Sequence, residues 1–304
     1  MSNVAIGRFD VQQAAVRFAS ARPFRHVVID DFFDTATLQK LVAQFPPFER
    51  GSARNEAGLL GRKSVVERIA TLGGVYAELD QHIQQREFLD LIGTLTGIDD
   101  LRFDEYYFGG GTHENLSGQE LDPHIDFNRH PITGWHRRLN LIVYLNEHWD
   151  ASWGGALDLH ENPRGNGATV SILPLANRCV IFETTEHSWH GFRPIVAPAN
   201  QPHLSRRSIA LYFYTTTRPA HELADPHSTV YVDRPLPPHF RAGHTLTEED
   251  ERTLAVAIAR RDQHIQRLYA DAMRLETRLA DWQARWGATR LVRLKRRMLA
   301  WWRG

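Results

Sequence analysis

His124-Ile125-Asp126, answered far downstream by His190 in Ser188-Trp189-His190-Gly191-Phe192, is the stretch that decides how the chain is read. On a β-strand alternate side chains share a face, so His124 and Asp126 aim together while Ile125 faces away. A second imidazole brought in by a distant strand would complete two nitrogens and one carboxylate on one side of a transition metal. Its remaining positions would stay open to ligands. His-x-Asp by itself is a weak pattern, and the flanks strengthen it. A strand-like run, Arg138-Leu139-Asn140-Leu141-Ile142-Val143-Tyr144-Leu145-Asn146, follows it, then Gly154-Gly155, and later a cationic run, Arg206-Arg207-Ser208-Ile209-Ala210-Leu211-Tyr212.

Outward from that centre, the texture from residue 101 onward is of short β-like runs broken by turns. They cover 101–108, 121–124, 139–145, 156–160, 169–173, 178–182 and 208–216, with breakers at Gly109-Gly110-Gly111, Gly154-Gly155, 163–167 and Pro174. Regular short strands of this kind predict a sandwich or barrel. Upstream, Val27-Val28-Ile29 reads as a strand and 35–45 as an amphipathic helix, with 50–63 as a loop. Helical stretches are expected at 64–84 and 86–96, a layer that would support the sheet.

Residues 218–247 are rich in proline and histidine and read as a linker or strap. Thr247-Glu248-Glu249-Asp250 then supplies an N-cap with acidic first-turn residues. Ile265, Leu268, Ala272, Leu275, Leu279, Trp282 and Trp286 follow in steps of three and four, a heptad seam of about three repeats. The seam predicts either packing within the chain or a homodimer through 258–286. Beyond Gly287 a basic amphipathic segment, 287–304, suits contact with an anionic membrane surface or a partner, or a solvated charged end.

Composition excludes little but is consistent. The chain has 304 residues with 36 basic and 36 acidic side chains, so no charge bias points to nucleic acid. The single cysteine, Cys179, cannot form an internal disulfide, and no apolar run approaches the ~20 residues that span a bilayer. The N-terminus lacks a cationic segment followed by an apolar one, so the expected location is cytoplasmic.

With these motifs in order, the region 22–217 resembles the Fe(II)/2-oxoglutarate-dependent dioxygenases of the prolyl 4-hydroxylase type. The residues carrying the resemblance are His124-x-Asp126, Tyr144-Leu145-Asn146, Gly154-Gly155, His190 and Arg206-x-Ser208. It implies a mainly β fold with flanking helices: a double-stranded β-helix (jelly-roll, cupin-like) core with a C-terminal helical appendage. The division expected is a dioxygenase domain at 1–217, with a helical layer at 1–100 and the jelly-roll at 101–217. A strap at 218–247 and a helical region at 248–304 complete it. The resemblance further implies Fe(II) bound by His124, Asp126 and His190, and 2-oxoglutarate as co-substrate with its C5 carboxylate on Arg206. His187 is the rival of His190, and Arg207 the alternative to Arg206. Ser208 accompanies the arginine, Tyr144 would donate to the distal carboxylate, and Asn140 would sit near the metal-bound end. Tyr107 is a further cavity-lining candidate, and His113, Phe127, His130 and Trp135 could border the substrate mouth. Ascorbate would serve as an auxiliary reductant. Related halogenases replace the carboxylate ligand with a small residue, so Asp126 favours hydroxylation of a C–H bond. The primary substrate, whether a protein residue, an amino acid or a metabolite, is not legible. The competing class is a non-catalytic jelly-roll binding or assembly module working through its C-terminal helices.

Overall fold

Two-residue alternation along the longest strands builds the architecture. In β6 (His136–Tyr144), Leu139, Leu141 and Val143 join one apolar cluster, whereas Ile142 and Tyr144 join another. In β9 (Cys179–Glu183), Cys179 and Ile181 face the first cluster and Val180 and Phe182 the second. In β11 (Ser205–Thr215), Ile209, Leu211 and Phe213 again belong to the first. A sheet buried on both faces reads as a nearly continuous apolar run, as these strands do. The second face of that sheet covers another sheet and, between them, the site.

A computed structural model describes residues 4–51, 63–165, 167–232 and 236–287. They fall into two compact units, Met1–Pro235 and Leu236–Gly304. In the first unit a seven-stranded antiparallel sheet contains β1 (His26–Ile29), β9, β6, β11, β4 (Gly111–Leu116) and β2 (Lys63–Val66) in that order, with β3 (Arg102–Phe103) paired to β11. A five-stranded sheet has the order β12 (Val230–Tyr231), β5 (Leu121–Ile125), β10 (Trp189–Phe192), β7 (Leu157–His160) and β8 (Thr169–Ile172). The two sheets form a double-stranded β-helix core. Helices α1 (Val11–Ser20), α2 (Thr35–Ala43), α3 (Gly74–Ile83) and α4 (Arg86–Thr96) cover the outer face of the larger sheet through Phe18, Leu41, Leu79, Ile83, Phe88 and Ile92. Burial of such side chains stabilises by about 1.5–3 kcal/mol each.

Several expectations shift. The segment at 64–84 opens with strand β2, and its helix starts only at Gly74. The run at 101–108 is a strand for two residues only, because Asp104 turns the chain by accepting the amides of Tyr106 and Phe108. The glycine run does not end the β region, since Gly111 begins β4. Residues 218–232 are not a free linker. Tyr231 pairs with His124 across β12 and β5, and Asn128 is bonded to Asp225 and His227, which places this part of the strap in the first unit.

In the second unit Thr247 and Asp250 form a reciprocal cap at the start of α5 (Glu248–Gly287). His239 and His244 each contact one oxygen of the same Asp250 carboxylate, at 2.7 and 2.8 Å. The heptad lies on this one 40-residue helix. No helix among the described residues is long and apolar enough to cross a membrane. The basic segment expected at 287–304 lies outside the described residues apart from the helix end at Gly287.

Candidate active site

Strand register brings the motif residues together. His190 on β10 lies directly across from His124 on β5, and their rings sit 4.2 Å apart. Asp126, just past the end of β5, has one carboxylate oxygen 3.7 Å from His124 Nε2 and the other 3.6 Å from His190 Nε2. The three donor atoms lie within 4.8 Å of one another. His187, the rival, belongs to the turn before β10 and is absent from this cluster. Gly191 follows for a steric reason: a Cβ there would come within 2.5 Å of the Leu121 carbonyl oxygen.

The histidines are set as ligands. His124 Nδ1 contacts the carbonyl of Asp122 at 2.9 Å, and His190 Nδ1 that of Ser188 at 2.9 Å. Donation from each Nδ1–H leaves the Nε2 lone pairs directed at the centre. Burial pushes the His190 pKa down, against the opposing pull of Asp126, so the imidazole is held neutral, as a metal ligand must be. Burial would raise the pKa of Asp126, but Arg137 foremost, then the two histidines and an Asn140 hydrogen bond, hold it well below the usual carboxylate range. Two imidazoles with their Nε2 atoms turned inward and an ionised carboxylate fit a ferrous ion.

The opposite wall is the inner face of the larger sheet. Arg206, Ser208, Ala210 and Tyr212 of β11 alternate into a cavity of about 210 Å³ that also opens onto His124, Asp126 and His190. Their cross-strand partners on β4 are Asn115 for Arg206 and His113 for Ser208, and both line the same cavity. Arg206 is buried, donates from Nε to the Gly155 carbonyl at 2.7 Å and from Nη2 to the Tyr144 hydroxyl at 3.0 Å, and has no carboxylate partner among the described residues. Its guanidinium lies over the Phe192 ring, 4.4 Å from the centroid. Arg207 faces away and pairs with Glu114 at 2.9 Å. Gly155 adopts φ +67°, and a Cβ there would press on Trp149 at 2.9 Å and on the Arg206 side chain at 3.4 Å.

One cavity assignment changes and another gains detail. Tyr107 is not in the cavity: it is buried in the apolar cluster on the helical side, and its hydroxyl donates to Asp80 at 2.8 Å. Asn140 lines the cavity, but its amide donates to Asp126 Oδ2 at 2.8 Å and its oxygen accepts from Arg137. Arg137 is the residue that sequence reading missed. It is 1% exposed, lies 3.2 Å from Asp126 Oδ2, and stacks over Tyr212 at 3.7 Å and Phe127 at 4.5 Å. Simple alternation from Asn140 would have turned Arg138 inward. A register shift between β6 and β11 inserts one residue there, so Arg137 faces Asp126 while Arg138 pairs with Glu183 and Glu222. His113 was expected near the substrate mouth. It lies instead beside Ser208 with a buried, unpartnered Nε2. Phe127 does line the cavity, whereas His130 is sealed behind it, 3.2 Å from Asp104, and Trp135 lies against Arg102.

Residues 110–214, which span both walls of this cavity, match the family model for the 2OG-Fe(II) oxygenase superfamily. Over that span the chain is similar to that superfamily. It is 30% identical over 152 residues to prolyl 3-hydroxylase OGFOD1 of Mus musculus, a match covering 44% of this chain and 26% of that protein. The chain thus spans about a quarter of the length of that curated relative. Among solved structures it is similar to a prolyl 4-hydroxylase from Phytophthora capsici, with TM-score 0.47 and 20% identity, covering 88% of this chain and 81% of that one. It is also similar to a Pseudomonas putida prolyl-4-hydroxylase, with TM-score 0.41 and 16% identity, covering 70% and 97%. Fe(II) and 2-oxoglutarate are the typical cofactor and co-substrate of this superfamily.

Proposed function

We propose that this chain is an Fe(II)- and 2-oxoglutarate-dependent dioxygenase that hydroxylates an unactivated C–H bond, acting in the cytoplasm. The observation that carries the reading is a pairing across one small cavity. Two imidazole nitrogens and a carboxylate converge on one wall, and a buried arginine with no carboxylate partner among the described residues reaches in from the other. When bound, the iron and 2-oxo acid supply the oxidising chemistry, by which O2 and 2-oxoglutarate give succinate, CO2 and one oxygen atom inserted into the substrate.

The chain's own residues bind and orient. His124, Asp126 and His190 would hold the metal, with both imidazoles fixed in tautomer and angle by their Nδ1 bonds to backbone. Arg137 and Asn140 steady Asp126 by charge and hydrogen bond. Arg206 would take the distal carboxylate in a charge-assisted contact, and the Tyr144 hydroxyl, already accepting from Arg206, can donate its own proton to the same group. Ser208 stands beside them on β11. Burial keeps this charge pairing strong by excluding water. Of candidate substrates, a prolyl residue in a peptide is the one supported by the name of the mouse relative. A free amino acid or a metabolite is the competing substrate class, and the mass-spectrometric test below distinguishes them.

The test is succinate formation by purified protein with Fe(II), 2-oxoglutarate, O2 and ascorbate, followed by mass spectrometry of candidate peptides and metabolites for a gain of one oxygen. Slow succinate release without primary substrate, lost in Asp126→Ala, is the expected result. Metal-independent behaviour and no succinate would instead favour the non-catalytic binding module.

A further inference from the structure

The long helix of the second unit carries a feature that the proposed chemistry does not use. Along α5 the positions Ile258, Ile265, Leu268, Leu275 and Leu279 form one seam, and each is between 48% and 63% exposed. Leu254 begins the same three-four spacing, Ala272 continues it and Arg261 takes one of its places. A heptad seam sustained over about four repeats, with charge on its flanks, is the sequence of a coiled coil. A helix of 40 residues extends roughly 60 Å, far more than a cap on one's own domain needs.

The flanking charges select the arrangement. With Ile258, Ile265, Ala272 and Leu279 at the first core position of each heptad, Asp271 and Arg278 precede the core and Glu276 follows it. In a parallel, in-register pair Asp271 would face Glu276 of the other chain, twice per dimer, and no opposite-charge couple would offset it. In an antiparallel pair centred between Ala272 and Leu275, Asp271 faces Arg278 of the other chain, again twice. Leu268 then packs on Leu279, and Ala272 on Leu275. Asp271 already contacts Arg274 and Arg267 on its own helix, so the added arginine extends an existing charge network. The partner this face fits is therefore a second copy of itself.

We propose that α5 joins two copies of this chain as an antiparallel two-stranded coiled coil, with Ala272 of one packed against Leu275 of the other. The seam winds at 3.5 residues per turn, giving a left-handed supercoil. Arg261 is a polar interruption of the kind that fixes register at some cost in stability.

Light scattering on the full-length protein should give the mass of two chains, and the mass of one chain would overturn the proposal. Leu268→Asp combined with Leu275→Asp should halve the mass while leaving metal-dependent 2-oxoglutarate binding in place; a variant that stays dimeric would place the interface elsewhere. Removal of residues 288–304 should leave the dimer intact, and its loss would assign the contact to that segment instead. Cysteine pairing then reads the direction with conservative changes, because the native Cys179 is buried. Mixed Ala272→Cys and Leu275→Cys chains should give the heterodisulfide. Efficient disulfide formation by each variant alone would mean parallel helices and refute the arrangement.

Discussion

Replacing Arg206 by Met separates two effects of opposite sign. In the free protein the guanidinium is buried, bonded among the described residues to the Gly155 carbonyl and the Tyr144 hydroxyl, and burial lowers its pKa, which means its charge is disfavoured there. Exchanging an unpaired buried charge for an apolar side chain of similar length is often neutral or stabilising. Unfolding of the free Arg206→Met variant should therefore occur at or above the parental temperature. For 2-oxoglutarate the sign reverses, because truncating one partner of a buried, hydrogen-bonded charge pair costs about 2–5 kcal/mol. At 1.4 kcal/mol per tenfold, affinity should fall about 30- to 4,000-fold. Calorimetric titration with Mn(II) in place of iron measures this without turnover. Arg207→Met is the control: that side chain pairs with Glu114 on the outer face, so affinity should stay within about threefold. Near-parental binding by Arg206→Met, or a large loss in Arg207→Met, would refute the reasoning.

Other consequences are as specific. Asp126→Ala should abolish stoichiometric metal binding while the far-ultraviolet circular dichroism stays unchanged. Arg137→Met leaves the Asp126 carboxylate buried without its cation. At about 3 kcal/mol for breaking such a pair, unfolding of the metal-free protein should drop by roughly 6–12 °C. Burial first, then the charges of Lys63 and Arg206, holds the His113 pKa down to about 3 in the folded chain, against about 6.5 when unfolded. Above pH 6.5 both states are neutral there. Between pH 6.5 and 3 only the unfolded chain takes up the proton, so stability falls with acidity by up to about 1.4 kcal/mol per pH unit. His113→Gln should flatten the decline in urea midpoints between pH 7 and 5 by that share. Gly155→Ala, at φ +67° and against Trp149 and Arg206, should weaken 2-oxoglutarate binding along with stability.

Much of this molecule was legible because periodicity speaks directly to side-chain direction. Alternation places Arg206, Ser208 and Tyr212 on one face of the strand and Arg207 on the other, and the resemblance selects the first face as the inward one. The pairing of His124 with Asp126 follows from the same alternation, once a distant histidine is granted. What escaped depended on departures from regularity. The extra residue at Arg138 exchanged the roles of two adjacent arginines, and nothing local in Arg137-Arg138-Leu139 marks it. Strands β2 and β4 were hidden because charged and amide side chains occupy positions that only sheet pairing buries, as with Glu114 and Asn115 of β4, which lies between β2 and β11. Tyr107 was misplaced because a positive φ of 51° turns it away from the strand direction its neighbours suggested. The strap escaped for a different reason, since Tyr231 gains its place by stacking on the His124 ring, a tertiary contact without a sequence period.

The most direct test of the central claim is crystallographic. Crystals grown anaerobically with Fe(II) and 2-oxoglutarate should give an anomalous peak at the iron edge, bonded to His124 Nε2, His190 Nε2 and one oxygen of Asp126, with the co-substrate's far carboxylate against Arg206. Iron located elsewhere, or a site in which those three side chains turn away from one another, would contradict it.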